Sequence, residues 1–326
     1  MKKNIAVVTG GFSSEQEVSL RSAQFVFQSI DSSKFNPVLV EITSADWFVF
    51  TENGQKVLVD KTDFSFTQNG EKVKFEYAYV IIHGTPGENG LLQGYFDMLQ
   101  IPYSCCGVLS AALTFNKFAC NQYLKGFGVS VAESILLRKG QTVASEVVAE
   151  QIAFPCFIKS NVGGSSYGCS KVNNLDEVQP AIELAFAEGD EVIIEAFLSG
   201  KEFTCGIYKT TQKTLVLPIT EIIPKNEFFD YDAKYKGEVE EITPARISDD
   251  LRDRMQAITS HVYDILNCKG IVRVDYIVSP EGNIQLLEVN TIPGMTATSF
   301  IPQQLAAANL SVTDTLSEII EDVLSI

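Results

Sequence analysis

The sequence predicts an α/β protein, α+β in its overall organisation, with a parallel sheet near the N-terminus and a β-hairpin near the C-terminus. Apolar runs at 5–11, 36–42 and 77–84 are typical of buried strands, and a pattern with helical spacing separates the first two. Two β-branched apolar runs at 271–278 and 284–290 enclose a turn that contains proline and glycine. Strands that alternate with helices favour parallel pairing, whereas a short turn favours an antiparallel pair.

Composition limits the kind of protein and the kind of ligand. The chain has 326 residues, 45% of them hydrophobic and 20% charged, which is enough for two or three globular domains. The net charge of −16 disfavours nucleic acid as a partner, so an anionic ligand requires a local cluster of cations. Seven cysteines without metal-type spacing predict reduced thiols, and two histidines disfavour a zinc site. Without a signal peptide or transmembrane run, we expect a cytoplasmic protein with no membrane partner.

The first half of the chain contains three further predicted features. Ser13 or Ser14 is predicted to cap the first helix, and 44–75 is predicted to be a polar insertion with short strands around Trp47. A second helix is predicted to begin near Leu91. The first helix is predicted to bury a stripe formed by Leu20, Ala23, Phe27 and Ile30.

The middle of the chain is predicted to hold a glycine-serine loop between two strands. A single helix is predicted over 109–127 with Lys117 inside it, and a strand over 154–160 ends in Lys159. The loop that follows, NVGGSSYG, leads into another strand rather than a helix, so it is not a Walker loop. Its amides and hydroxyls are suited to a triphosphate, although a plain hairpin loop explains the same composition.

The last third is predicted to contain several more strands and helices. Strands are predicted on both sides of Ser199-Gly200, and again over 129–137 and 215–223. The apolar residues of 224–244 show neither helical nor strand spacing, and the length of this segment indicates a functional loop. Helices are predicted over 142–152, from Ser248 as an N-cap, and over 313–325.

The C-terminal hairpin carries the clearest chemical signal. If Ser279 pairs with Ile284, period-two alternation places four polar side chains opposite one another on one face, namely Arg273, Asp275, Glu288 and Asn290. Two carboxylates and an amide oxygen suit Mg²⁺ that carries nucleotide phosphates, and an arginine can hold an anion. A solvated face with cross-strand ion pairs is the alternative interpretation.

Three N-terminal signals leave alternatives open. Gly10-Gly11 lacks the dinucleotide fingerprint, so a nicotinamide-dependent enzyme receives little support. Glu15 lies beside the strand-end loop, where it can bind an amine or complement the helix dipole together with Glu17. His83 follows a strand, and its position fits a structural loop residue as well as a functional one.

Six motifs in register resemble the D-alanine–D-alanine ligase family of the ATP-grasp superfamily over essentially the whole chain. They are GGFSSEQEVSLRSA (10–23), HGTPGENGLLQG (83–94), GGSSYGCSKV (163–172), LSGKEFT (198–204), FFDYDAKY (228–235) and RVDY with LLEVNTIPGMTATSF (273–300). The resemblance implies a three-domain ATP-grasp architecture, with an N-terminal pre-ATP-grasp domain at 1–104, a central subdomain at 105–194 and a C-terminal subdomain at 195–326. It implies ATP-dependent ligation of two D-alanines through D-alanyl phosphate for peptidoglycan precursors, and a homodimer.

The resemblance also implies roles for individual residues. At the phosphates of ATP it implies Lys117 and Lys159 for the α- and β-phosphates, Lys234 for the γ-phosphate and Ser166 in the loop. At the nucleoside it implies Glu195 and Leu198 for the adenine and Glu202 for the ribose. Asp275, Glu288 and Asn290 would hold Mg²⁺ or Mn²⁺, with two ions expected. Glu15 would receive the first D-alanine's ammonium beside Ser165 and Tyr235, with His83 near its carboxylate. Arg273 and the Gly294 amide would form the oxyanion hole, and Ser299 would bind the second substrate's carboxylate.

The chain departs from the family pattern before the glycine-serine loop. The family commonly has Lys-Pro-Ser, an arginine and a glutamate there, whereas this chain has Lys159-Ser160-Asn161-Val162-Gly163. Loss of a proline and two charges predicts a looser, less ion-paired loop. Other ATP-grasp carboxylate–amine ligases, a D-alanine–D-lactate ligase and a nucleotide-binding regulatory module remain alternatives, although Tyr235 disfavours the depsipeptide enzyme and the intact ligand set disfavours the regulatory module.

Overall fold

The computed structural model describes residues 2–51, 54–163, 168–224 and 239–325. Within these ranges the chain forms three sheets, which follow one another along the sequence and are flanked by helices. The prediction of an α/β protein is confirmed.

The first sheet combines a parallel centre with an antiparallel extension. Its strands are β1 (Lys3–Gly10), β2 (Phe35–Ile42), β3 (Trp47–Phe50), β4 (Lys56–Asp60), β5 (Ser65–Gln68), β6 (Glu71–Lys74) and β7 (Tyr77–Val80). The order is β6-β5-β4-β3-β2-β1-β7, and only β2, β1 and β7 pair in parallel. The predicted insertion at 44–75 therefore extends one edge of the sheet as antiparallel strands. The third parallel strand ends at Val80 instead of Gly84, so His83 lies in the loop that follows.

Helix α1 (Gln16–Ser29) differs from its prediction at the cap and on one face. Its N-cap is Glu15, so the predicted serine cap is wrong; the Ser13 hydroxyl instead accepts a hydrogen bond from the Glu15 amide and donates one to the His83 carbonyl. Ala23 and Ile30 are buried as predicted, but Leu20 is exposed. The buried face is completed by small hydroxyl residues, because Ser19 and Ser22 point toward the His83 loop.

The predicted helix at 109–127 is two helices. α2 (Leu91–Leu99) begins where predicted, and α3 (Val108–Phe115) and α4 (Lys117–Lys125) follow with a break at Asn116. Asn116 has an extended backbone and its side chain accepts a hydrogen bond from the Ala119 amide. The apolar periodicity runs across both helices, but asparagine at an N-cap stabilises a new helix start. Lys117 therefore occupies the first position of α4.

The second sheet is antiparallel throughout its described strands. It contains β8 (Ser134–Arg138), β9 (Cys156–Ser160), β10 (Ser170–Val172) and β11 (Glu191–Ala196) in the order β10-β9-β11-β8. α5 (Ser145–Gln151), a short 3₁₀ turn (Leu175–Glu177) and α6 (Val178–Ala187) accompany it, and α6 packs on β9, β10 and β11. The strand predicted over 129–137 starts later, because Val131 forms a separate bridge with Leu286 of the third sheet.

The third sheet holds the predicted hairpin. Its strands are β12 (Lys201–Lys209), β13 (Thr214–Val216), β14 (Thr220–Pro224), β15 (Val239–Ile242), β16 (Val272–Val278) and β17 (Ile284–Asn290). The order is β15-β14-β12-β16-β17, with β13 beside β12, so the strand predicted over 215–223 is two strands. The helices are α7 (Asp249–Ile265), capped by Ser248 as predicted, α8 (Phe300–Ala307) and α9 (Val312–Leu324).

A β-bulge corrects the predicted register of the hairpin. Val278, not Ser279, pairs with Ile284, yet Asp275 lies opposite Glu288 as predicted. The register shifts between Asp275 and Tyr276, where the partner strand accommodates one extra residue, Leu287. The turn prediction is wrong by one residue, and the bulge restores the predicted pairing at the polar face.

Three apolar cores hold these sheets, and the first connects the two ends of the chain. It joins the first sheet and α1 to residues of α8 and α9. The second core lies between α3, α4, α7 and the third sheet, and the third core lies between α5, α6 and the second sheet. No helix in the described part of the chain is both long and apolar enough to span a membrane.

Candidate active site

One cleft of about 930 Å³ lies between the sheets and contains every predicted site residue that the structure describes. These are Glu15, His83, Lys117, Lys159, Glu195, Leu198, Glu202, Arg273, Asp275, Glu288, Asn290, Gly294 and Ser299. They come from all three sheets and the loops around them, so the fold unites side chains separated by more than 250 positions. Their individual roles remain predictions.

Lys159 and Glu195 form an ion pair inside the cleft. Antiparallel pairing of β9 with β11 places Lys159 opposite Ile193, so Glu195 is two residues along on the same face. Lys159 Nζ lies 2.5 Å from Glu195 Oε2, with exposed side-chain fractions of 17% and 6%. Burial disfavours the ammonium, but the Glu195 carboxylate holds the pKa of Lys159 above its usual range. The pair keeps a cation in the cleft at neutral pH.

Lys117 reaches the same cleft from the start of α4. Its ammonium donates a hydrogen bond of 2.5 Å to the Gly163 carbonyl, at the beginning of the glycine-serine loop. Burial lowers the pKa of Lys117, although the carboxylates of Glu288 and Glu195 favour its charged form. Lys117 and Lys159 therefore supply two local cations that the acidic chain needs if it is to hold a polyphosphate.

The polar face of the hairpin is densely hydrogen-bonded around Asp275. Arg273 Nη2 lies 2.7 Å from Asp275 Oδ2, and Asn290 Nδ2 donates to the same oxygen at 3.0 Å. The Thr204 hydroxyl donates to Asp275 Oδ1 at 2.5 Å. Burial disfavours the Arg273 charge, but Asp275 holds the pKa of Arg273 above its usual range. These hydrogen bonds fix the position of the Asp275 carboxylate.

The donor set of this face fits a hard divalent cation. Glu288 has a side chain 29% exposed toward the cleft, and Asn290 uses its amide nitrogen on Asp275, so its amide oxygen is directed elsewhere. Carboxylate and amide oxygens are the ligands that Mg²⁺ and Mn²⁺ prefer. Within the described residues no group of three His, Cys, Asp or Glu side chains is arranged for a metal ion.

A second pocket of the cleft is formed by Glu15 and His83. The His83 Nε2 atom lies 3.2 Å from the Ser22 hydroxyl, which also accepts a hydrogen bond from the Met295 amide. Burial lowers the pKa of His83, and the nearby Glu15 carboxylate only partly opposes this. Burial thus favours the neutral form of the His83 imidazole, and the Glu15 carboxylate lies in the same pocket.

Glu88 belongs to this pocket and was missed in the sequence. Its carboxylate accepts a hydrogen bond of 2.6 Å from the Gly84 amide and lies in the cleft near Glu15. Burial, reinforced by Glu15, raises the pKa of Glu88 to about 8. Glu88 lies within the motif HGTPGENGLLQG (83–94), but nothing in the spacing of that motif distinguishes it from an exposed loop glutamate. Glu88 is a protonated neighbour of Glu15 near neutral pH.

Arg273, Gly294 and Ser299 meet at the end of the cleft nearest α8. The Arg273 guanidinium lies over the Phe300 ring, 5.5 Å from its centroid. A Cβ atom on Gly294 would lie 3.0 Å from the Ser299 hydroxyl oxygen, so a larger residue would require the serine side chain to shift. The Ser299 hydroxyl is paired with Thr296, 2.8 Å from its Oγ1 atom, at the N-terminus of α8. The arrangement offers a guanidinium and a helix N-terminus to an anionic group.

Aromatic and aliphatic side chains line another part of the cleft. Leu198 and Glu202 line it as predicted, together with Phe157 and Phe197, whose ring centroids are 5.9 Å apart. The two phenylalanines were missed in the sequence, although Phe157 alternates with Lys159 on β9. The Lys171 ammonium lies over the Phe197 ring, 5.0 Å from its centroid.

Four predicted site residues lie outside the described residues: Ser165, Ser166, Lys234 and Tyr235. The predicted looseness of the glycine-serine loop concerns 164–167 and also lies outside them. The described residues on the N-terminal side of that loop, through Gly163, are tied to α4 by the Lys117 hydrogen bond.

Comparisons with known proteins agree with this geometry. The family model "D-ala D-ala ligase N-terminus" matches residues 4–106, and "D-ala D-ala ligase C-terminus" matches residues 123–321. The D-alanine–D-alanine ligase of Bacteroides fragilis is 59% identical over 322 residues, covering 99% of each chain. The chain belongs to the D-alanine–D-alanine ligase family. The resemblance found in its six motifs is confirmed.

Solved structures of the family share the fold. The VanG D-Ala:D-Ser ligase of Enterococcus faecalis is 33% identical, with a TM-score of 0.87 over 98% of this chain and 99% of that one. The D-alanine–D-alanine ligase of Bacillus anthracis, solved with ATP, is 27% identical, with a TM-score of 0.79 over 99% and 98%. The ATP-grasp architecture expected from the motifs is therefore confirmed, and the family uses ATP as a substrate.

Proposed function

We propose that this protein joins two D-alanine molecules to D-alanyl-D-alanine through a D-alanyl phosphate, with release of ADP and phosphate, for peptidoglycan precursor synthesis. The observation that carries the proposal is the single cleft containing both lysines, the Arg273–Asp275–Glu288–Asn290 face and the Glu15 pocket. Full-length identity of 59% to a D-alanine–D-alanine ligase supports the same substrates.

The first step requires activation of a poor electrophile. A carboxylate resists attack by an amine, so an oxygen of the first D-alanine carboxylate takes the γ-phosphoryl group of ATP and ADP leaves. Little covalent chemistry is needed from the protein, which contributes position and positive charge. Lys117 and Lys159 are the described cations assigned to the α- and β-phosphates, and Phe157, Phe197 and Leu198 are assigned to the adenine end.

The second step is attack of an amine on the acyl phosphate. Glu15 holds the ammonium of the first D-alanine, and neutral His83 lies beside it without a competing positive charge. The carbonyl oxygen gains negative charge as the amine attacks, and Arg273 with the Gly294 amide stabilises it. Ser299 and the N-terminus of α8 receive the second substrate's carboxylate. The attacking nitrogen gives up one proton to the phosphate group, and phosphate then leaves from the tetrahedral carbon, which forms the amide.

Asp275, Glu288 and Asn290 are the residues that would hold Mg²⁺ or Mn²⁺, with two ions expected. When bound, the metal neutralises phosphate charge that the two lysines alone do not balance. Arg273 and Thr204 hold Asp275 in place by hydrogen bonds, which keeps its carboxylate oriented toward the cleft before ATP binds.

A direct product assay tests the proposal. The purified protein is incubated with ATP, Mg²⁺ and D-alanine, and the dipeptide is identified by mass spectrometry together with ADP and phosphate. D-serine and D-lactate compete as second substrates in parallel reactions, because the VanG relative is a D-Ala:D-Ser ligase. D-alanyl-D-alanine as the main product supports the proposal. A folded protein that yields no dipeptide contradicts it, and preferential D-serine or D-lactate incorporation reassigns the second substrate.

We further propose a cytoplasmic homodimer. Exposed apolar side chains on the neighbouring helices α2 and α3, namely Leu91, Met98 and Leu109, support a second copy of the chain as the partner of this face. Light scattering after size exclusion should give twice the monomer mass of 35.8 kDa. A Met98→Asp, Leu109→Asp double variant should be monomeric, and a wild-type monomer at micromolar concentration would contradict the dimer.

A further inference from the structure

We propose that Asn161 is a positioning residue that fixes Lys117 relative to Lys159, so that the two ammonium groups present one preformed site to the ATP phosphates. The inference rests on the proposed function for the assignment of the two lysines to phosphates. Asn161 follows β9 directly, in the segment where this chain departs from the pattern of its family. The sequence analysis names it only as part of that departure and assigns it no role in the site.

The side chain of Asn161 connects α4 to the second sheet. Its Oδ1 atom accepts a hydrogen bond of 2.8 Å from the Phe118 amide, and its Nδ2 atom donates one of 2.7 Å to Glu191 Oε2. Asn161 is fully buried, so neither hydrogen bond can be replaced by bulk water without a rearrangement. One amide group therefore bridges the first turn of α4 and the first residue of β11.

The backbone of Asn161 makes the same connection a second time. Its carbonyl accepts a hydrogen bond of 3.1 Å from the Lys117 amide, and its amide donates one of 2.9 Å to the Glu191 carbonyl. The latter continues the β9–β11 ladder that carries Lys159 and Glu195. Lys117 is thus linked to the strand of Lys159 by contacts that begin two residues beyond Lys159.

Glu191 fixes the third corner of this arrangement. Its Oε2 atom also accepts a hydrogen bond of 3.0 Å from Asn116 Nδ2, and its Oε1 atom accepts one of 3.0 Å from Arg138 Nε. Asn116 is the N-cap of α4, so both asparagines tie the start of this helix to one carboxylate. Charge-assisted hydrogen bonds of this kind are stronger than neutral ones.

These contacts also decide how α4 can bind an anion. The first three amides of the helix, those of Lys117, Phe118 and Ala119, are all used by Asn161 and Asn116. A free helix N-terminus would bind phosphate through such amides. In this chain those amides are already hydrogen-bonded, so α4 can contribute only the Lys117 ammonium to a phosphate. The position of that ammonium depends on the Asn161 contacts.

The test measures nucleotide affinity in Asn161 variants of the full-length protein. Asn161→Ala should weaken binding of a non-hydrolysable ATP analogue by about tenfold, which corresponds to about 1.4 kcal/mol. The KM for each D-alanine should change by less than about twofold, which corresponds to about 0.4 kcal/mol. A purely structural role would lower the melting temperature without this selective loss of nucleotide affinity, and that result would overturn the inference.

Asn174→Ala is the matched control. Asn174 also accepts a hydrogen bond from a backbone amide, that of Asp176, and donates one to a glutamate, Glu177. It is exposed and does not line the cleft. This variant loses the same two types of hydrogen bond and should bind nucleotide like the parent.

A size-conserving pair of variants keeps the test decisive if Asn161→Ala does not fold. Asn161→Asp retains the acceptor for Phe118 but opposes the Glu191 carboxylate, and it should weaken nucleotide binding by about tenfold. Adding Glu191→Gln reverses the direction of that hydrogen bond and should recover part of the lost affinity; the recovery is incomplete because the same atom no longer accepts from Asn116 Nδ2. No recovery in a folded double variant would overturn the inference. Nucleotide binding is measured without D-alanine, so a failure of the proposed ligation is detected separately.

Discussion

Lys159 and Glu195 form a buried ion pair on adjacent antiparallel strands, with 2.5 Å between Nζ and Oε2. Asn121 Nδ2 contacts the other carboxylate oxygen of Glu195 at 3.3 Å, so the acid is held from two sides. The pair places a fixed positive charge in the cleft before any nucleotide binds. A phosphate group that binds there would contact the Lys159 ammonium, which the Glu195 carboxylate already holds in place.

Glu195→Gln should weaken nucleotide binding and destabilise the fold. The buried Lys159 would keep its desolvation penalty without its carboxylate, and breaking a buried pair in this way costs about 3–5 kcal/mol. Without Glu195, burial should lower the pKa of Lys159 in the folded state. Between that lowered pKa and the ordinary value for lysine, the unfolded state then binds one proton more than the folded state. The variant's free energy of unfolding should therefore rise relative to the parent as the pH increases from about 7 to 10.

Urea unfolding across that pH range measures this effect. Glu133→Gln is the control, since Glu133 pairs with Lys125 at 2.6 Å in an exposed position, where an ion pair contributes little. Equal stability of Glu195→Gln and Glu133→Gln at pH 7 would show that the buried pair is not a significant stabiliser.

Glu88 should make the stability of the parent depend on pH. Its pKa is about 8 in the folded protein and has an ordinary value of 4.5, so between these values the folded state holds a proton that the unfolded state has lost. Its contribution is fully present below about pH 4.5 and is lost as the pH rises through about 8. Glu88→Gln lacks this titration. Its free energy of unfolding should therefore rise relative to the parent by about 1.4 kcal/mol per pH unit between about pH 5 and 8.

Denaturant titrations of Glu88→Gln and an exposed control, Glu71→Gln, at several pH values provide the comparison. Parallel pH profiles for the parent and Glu88→Gln would contradict an elevated pKa at this position.

Glu288→Gln should abolish most activity while leaving the fold intact. The hairpin is held by its ladder and by the contacts of Asp275, and Glu288 itself is 29% exposed, so its replacement removes a proposed metal ligand rather than a core contact. Loss of a protein ligand for the Mg²⁺ ion should lower kcat by at least about 100-fold. It should also raise the Mg²⁺ concentration needed for half-maximal activity.

Steady-state assays at increasing Mg²⁺ and Mn²⁺ give both quantities. Glu281→Gln, in the exposed turn of the same hairpin, is the control and should match the parent. Glu288→Gln with near-normal turnover at ordinary Mg²⁺ would remove Glu288 from the metal site.

Local pattern predicted the parts of the fold that depend on periodicity. Strand alternation placed Asp275 and Glu288 on the same face of the hairpin, and their direct pairing agrees with the prediction because the bulge offsets the one-residue error at the turn. The bulge at Leu287 could not be predicted, since an extra residue in a ladder leaves no mark in an apolar run. The break at Asn116 was missed for a related reason: hydrophobic spacing continues through it, and only the cap chemistry separates α3 from α4.

Site residues that lie in sequence motifs could be predicted, whereas those whose role depends on tertiary contacts could not. Lys159 was recognised because it ends an apolar strand before a glycine-serine loop. Glu88 and Asn161 acquire their character from burial, which is decided by segments distant in sequence. Glu88 is enclosed beside Glu15, and Asn161 is buried between α4 and β11.

The most direct test of the account follows the oxygen atoms of the first substrate. D-alanine labelled with ¹⁸O in its carboxylate is converted in the presence of ATP and Mg²⁺, and the released phosphate is analysed by mass spectrometry. Activation through D-alanyl phosphate in the cleft of Lys117, Lys159 and Arg273 transfers one carboxylate oxygen to phosphate, so each turnover should give ADP and phosphate carrying one ¹⁸O. Unlabelled phosphate, or label found in AMP, would contradict the account.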